Sequence, residues 1–192
     1  MKKLLALIAL ATSCTLASAQ ASATATRRAD LQLGGSFSYA SPDYGADKLH
    51  GYGFYGDLDV KYHLGLEVDF HQLSGKDPIL YERTYEIGPR FIYPIHDRFV
   101  PYIKGMYGRG VFNFPGYVTT SSGTQEVEVA NLAYNIYTGG AGLDLKVLPG
   151  LNIRVIDFEY QRWGNFPPRG LTPTVFSFGV AYHFHGGDRY GR

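Results

Sequence analysis

Cysteine is almost missing from this chain of 192 residues: its one copy, Cys14, lies in the N-terminal segment. If that segment is removed on export, no thiol remains, which excludes both a disulfide framework and a thiolate metal site. Charge is also scarce, at 18% against about 25% in an average soluble protein. It is balanced as well, with a net charge of +1 and a pI near 7.8. No broad field draws the chain to a polyanion, and a nucleic-acid partner is not expected. Long hydrophobic runs are absent too. The run from Leu4 to Ala11 falls well short of the roughly twenty residues that a membrane-spanning helix needs. Beyond it, no long stretch carries the amphipathic period of a helix.

What is present begins with an export signal. Met1-Lys2-Lys3 is a positive start, Leu4 to Ala11 an apolar core, and Ala17-Ser18-Ala19 a small-x-small cleavage motif. Cleavage after Ala19 or Ala21 fits. Residues 1–19 therefore read as a signal peptide, 20–29 as a flexible leader, 30–184 as one folded domain and 185–192 as a short tail. A lipoprotein site before Cys14 lacks the leucine such signals usually carry. The chain holds 24 glycines, 16 tyrosines and 12 phenylalanines, a composition of strands and tight turns. Its mean hydropathy of −0.14 is compatible with a membrane barrel, whose strands turn only alternate residues to lipid.

From Asp30 onward, apolar residues recur every second position, the period of a strand with two unlike faces. In Leu31 to Tyr39, Leu31, Leu33, Phe37 and Tyr39 share one face, and Gln32, Ser36 and Ser38 the other. Similar segments run from Tyr52 to Val60, Leu64 to Phe70, Thr84 to Tyr93, Val100 to about Asn113, about Leu132 to Val147, Leu151 to Trp163, and Thr174 to Phe184. Short connections alternate with long ones, the longest being a loop from Pro115 to Ala130. Pro89 and Pro101 fall inside strands, where a missing donor is tolerated only at a bulge or strand end.

Eight such segments predict an all-β, eight-stranded antiparallel up-and-down transmembrane β-barrel with short periplasmic turns and longer extracellular loops. A secreted β-sandwich shares the period-two pattern. The barrel is favoured by aromatics near segment ends, among them Tyr39, Tyr52, Tyr93, Phe99, Tyr102, Phe112, Tyr137, Tyr160, Trp163 and Tyr182, where interfacial girdles sit. The final strand adds Ser177, Gly179, Tyr182 and Phe184. This spacing resembles the closing strand of outer-membrane barrels, and over its mature length the chain resembles the outer membrane protein A-like, porin-like family of small β-barrels. The resemblance implies an outer-membrane location in a Gram-negative-type bacterium. It also implies outer-membrane lipids and the barrel-assembly machinery as partners, with Ser177, Gly179, Tyr182 and Phe184 as the assembly signal. Relatives typically stop at the final aromatic, whereas this chain continues through residues 185–192. A monomer is expected, without the peptidoglycan-binding domain that some relatives carry.

Eight strands enclose an interior just wide enough for side chains to fill, so inward charges must find partners there. Glu67, Glu86, Arg90, Lys104, Asp144, Asp157 and Glu159 are the expected lumen charge network, with Arg154 or Arg162 joining if the seventh strand carries a bulge. Such a network either plugs the interior or lines a narrow polar path for ions or small solutes. No catalytic residues, cofactor or metal site are predicted. His71 and Ser74 fall on opposite faces of a strand, and His183 and His185 lack an evident third ligand. The expected role is structural or porin-like. The alternatives are a surface-binding or adhesion module acting through loop residues 116–129 and, third, a lipid-modifying barrel enzyme.

Overall fold

The computed structural model describes residues 30–43, 47–61, 63–76, 80–96, 98–120, 123–165 and 169–184. The expected signal peptide, leader and tail, including His185, lie outside the described residues. Eight strands follow one another: β1 (Asp30–Ser41), β2 (Leu49–Lys61), β3 (Leu64–Ser74), β4 (Tyr81–Ile92), β5 (Phe99–Thr120), β6 (Gly123–Leu148), β7 (Leu151–Arg162) and β8 (Thr174–Phe184). Each pairs antiparallel with its sequence neighbours, and β8 closes on β1 through a register running from Leu31↔Phe184 to Ser41↔Thr174. Closure leaves no unpaired edge, the condition for a sheet to cross hydrocarbon.

Pleating sorts the side chains by sign of hydropathy, and the apolar set faces outward. Phe54 is 60% exposed and Ile103 61%, whereas Glu67 and Trp163 are at 0%. This inverts a soluble protein and suits a barrel in lipid. The short turns β2–β3, β4–β5 and β6–β7 lie at the same end as the start of β1 and the end of β8. At the last of these turns, Gly150 takes φ +83°, a conformation that glycine adopts without strain.

Two strand details differ from the sequence expectation, and the place of Pro89 agrees with it. The segment from Pro115 to Ala130 is not a loop: β5 and β6 continue as a paired ladder to Thr120↔Gly123, with a register shift between Phe114 and Pro115. Val118, Thr119, Thr120, Thr124, Val127 and Val129 favour extended backbone, and Pro115 sits at the irregularity, where its missing donor is tolerated. Pro89 occupies a break in the β4–β5 ladder, which passes from Ile87↔Tyr107 directly to Arg90↔Lys104. The second difference is that Tyr102, Phe112 and Trp163 are buried and leave the expected aromatic girdle for the interior. There, the Tyr102 and Trp163 rings cover Gly142 and Gly110, whose bare backbones leave room for them.

Candidate functional site

The polar interior is built from every second residue of neighbouring strands, so its charges arrive in layers. β2 contributes Asp57, β3 Glu67, Asp69 and His71, β4 Glu86 and Arg90, β5 Lys104, β6 Asp144, and β7 Arg154, Asp157 and Glu159, all buried.

Arg90 and Arg154 form one layer. Arg90 pairs with Asp57 at 2.5 Å and with Asp144, and its Nε lies 3.6 Å from Glu67. Arg154 reaches Glu67 at 3.0 Å, Asp57 at 3.1 Å, Asp144 at 3.2 Å and Asp157 at 3.4 Å. Its guanidinium also lies over the Tyr55 ring, 3.6 Å from the centroid, while that of Arg90 lies 4.0 Å from the centroid of Tyr102. A planar, weakly hydrated cation can stack and bond in-plane at once, which is why arginine suits this packing. Gln32 extends the layer, donating to Asp57 at 2.8 Å and accepting from Asn152.

Lys104 centres the next layer. Its ammonium lies 2.6 Å from Asp157, 2.7 Å from Glu67, 2.7 Å from Glu159 and 3.3 Å from Asp69. Beyond it, Gln161 donates to Glu86 at 3.2 Å and Glu159 at 3.3 Å, and accepts from the Trp163 indole at 3.1 Å. Two apolar clusters then fill the interior at the end with the long connections. One joins Phe112, Ile136, Trp163 and Leu171; the other joins Ala40, Leu49, Leu73 and Val175.

Of the seven charges expected in the lumen, Glu67, Arg90, Lys104, Asp144, Asp157 and Glu159 meet in this network, and Glu86 joins it through Gln161. Arg154 belongs to it because β7 carries a bulge at Val155 and Ile156, both exposed; Arg162 instead points out and donates to the Arg169 carbonyl. His71 was not expected at the centre. Its inward parity with Glu67 and Asp69 was the available signal. The four residues of the closing strand divide between faces: Tyr182 and Phe184 are exposed, 4.8 Å apart, while Ser177 is buried and bonded to Ser38 at 2.8 Å, and Gly179 packs against the Gly35 carbonyl side of β1.

A closed barrel with a greasy exterior and a charged interior has one natural solvent, the lipid bilayer, and family comparison agrees. The family described as the outer membrane protein beta-barrel domain matches residues 6–184. The chain belongs to that family. This outer-membrane barrel therefore has its short turns in the periplasm and its long connections outside the cell. Among solved structures it is similar to Neisserial surface protein A, at 16% identity and a TM-score of 0.57 over 81% of this chain and 97% of that one. It is also similar to the outer membrane protein OprG of Pseudomonas aeruginosa, at 15% identity and a TM-score of 0.52 over 82% and 96%. A third is the N-terminal β-barrel domain of Pseudomonas aeruginosa OprF, at 12% identity and a TM-score of 0.51 over 80% and 97%. No curated protein sequence matches the chain. At these identities the solved structures carry the fold alone.

Proposed function

We propose that this outer-membrane barrel serves a structural role, porin-like in architecture, with its narrow polar interior held closed. The observation that carries this reading is the stacking of two obstructions in one lumen. The layers around Arg90, Arg154 and Lys104 fill the middle, and Phe112, Ile136 and Trp163 stopper the extracellular end. An ion entering from either side must displace a buried ion pair or cross an apolar layer. Single-channel recording in a planar bilayer tests this: the refolded barrel gives no steady conductance, whereas long-lived ohmic channels at low voltage overturn the closed reading.

The barrel acts as a monomer in the lipid of the outer membrane, delivered by the assembly machinery through β8. A catalytic role has little support. His71 lies 3.4 Å from the Ser177 hydroxyl, but both are sealed in the lumen beneath the stopper. One observation favours surface binding as a second activity. β5 and β6 have 22 and 26 residues, whereas the other strands have 11–13. A membrane-spanning strand needs about 9–11, so this hairpin projects well beyond the bilayer. Shortening it across residues 116–129 should leave barrel folding intact and abolish any adhesion the cell surface gains from the protein.

A further inference from the structure

The lumen carries more carboxylates than cations, and the surplus is not spread evenly. Arg90, Arg154 and Lys104 serve Asp57, Glu67, Asp69, Asp144, Asp157 and Glu159, with Lys104 sitting in the cradle of Glu67, Asp69 and Asp157 as its cation. On the extracellular side of Lys104 lies a second cradle, formed by Asp69, His71 and Glu159, whose ligand atoms all lie within 4.8 Å of one another. Among the described residues, the one lysine or arginine that touches this cradle is Lys104, which binds the far oxygens of Asp69 and Glu159.

The geometry of the two shared carboxylates separates the cradles. Asp69 gives Oδ2 and Glu159 gives Oε1 to Lys104, which leaves Asp69 Oδ1 and Glu159 Oε2 turned to the imidazole of His71, at 3.6 and 3.9 Å. Those separations exceed hydrogen-bond length. Asp69 Oδ1 is buried with no hydrogen-bond partner, and so is Oε2 of Glu86, the neighbouring acid that shares the Gln161 amide with Glu159. Unsatisfied buried carboxylate oxygens are costly, and a cation among them removes the cost.

We infer that Asp69, His71 and Glu159 form a binding site for a divalent transition-metal ion inside the barrel, with Glu86 available as a further ligand. One imidazole nitrogen with carboxylate oxygens suits zinc, manganese or cobalt and is poorly matched to calcium, which takes oxygen donors alone. Gln161 donates to Oε1 of Glu86 and to Oε2 of Glu159, the oxygen turned to His71, and acts as a positioning residue. Trp163, bonded to Gln161, seals the site from the extracellular side.

The test uses the full mature chain without an affinity tag, refolded in detergent in the presence of cobalt(II) and then freed of excess ion. The expected result is one retained cobalt per barrel, with visible absorption of a bound ion and displacement by zinc. His71→Ala and Glu159→Gln should each lose it. Gln161→Ala should weaken retention by about tenfold. His63→Ala and His183→Ala, at the periplasmic end, should retain it unchanged. Heat-modifiable gel migration shows which variants are folded, and the conservative Asp69→Asn variant serves if His71→Ala does not fold. A folded wild-type barrel that retains no cobalt, or one whose cobalt survives both His71→Ala and Asp69→Asn, overturns the inference.

Discussion

Arg154 and Asp157 are three positions apart on β7, yet both side chains lie in the lumen, with Nη1 of the arginine 3.4 Å from Oδ2 of the aspartate. Regular pleating would put them on opposite faces. The bulge at Val155 and Ile156 places both residues outward and returns the strand to the interior in time for Asp157. One strand thus supplies a cation and an acid to adjoining layers.

That arrangement makes Arg154 the most consequential charge in the barrel. Arg154→Leu leaves Asp57, Glu67, Asp144 and Asp157 short of a partner in a site sealed from water. The expected loss is about 3–5 kcal/mol, the usual result of removing one side of a buried ion pair. Urea unfolding in lipid vesicles measures it. Adding Asp144→Asn should recover part of the loss, because it removes one stranded charge.

Gly110 is predicted to be intolerant for a different reason. A Cβ there would meet Cζ2 of Trp163 at 2.5 Å, inside the stopper. Gly110→Ala should cost about 1–3 kcal/mol through overpacking. Gly105→Ala, where nothing lies within 4 Å, is the matched control and should change stability far less. Equal effects at the two positions would show that the Trp163 ring yields freely.

Phe184 ends β8 on the lipid face, beside Tyr182 and paired with Leu31 across the closing seam. Phe184→Asp should lower the amount of folded, heat-modifiable protein recovered from outer membranes, and more so than a change of Tyr190 to Asp in the tail. If the tail substitution has the larger effect, the assembly signal includes residues beyond Phe184.

Much of this molecule is legible in the order of its residues. The alternation of Leu31, Leu33, Phe37 and Tyr39 with Gln32, Ser36 and Ser38 sets strand, face and period, because a pleated backbone points neighbours in opposite directions. The inward set of Glu67, Arg90, Lys104, Asp144, Asp157 and Glu159 follows from the same parity. Arg154 breaks parity and could be assigned only conditionally. Trp163, Tyr102 and Phe112 looked like girdle residues, since nearness to a strand end says nothing about which face a ring takes once a bulge or turn has changed the count.

Period-two patterning, aromatics near segment ends and the spacing of Ser177, Gly179, Tyr182 and Phe184 together pointed to an eight-stranded barrel in a membrane, since each is written in the order of residues along the chain. Which carboxylate meets which cation was decided by closure. Lys104 touches Glu67 and Glu159, 37 and 55 positions away, only because strands three through seven curve around one narrow lumen. The cradle of Asp69, His71 and Glu159 arises the same way, from β3 and β7 facing each other across the interior. Such contacts depend on barrel diameter and strand stagger, quantities no local pattern contains.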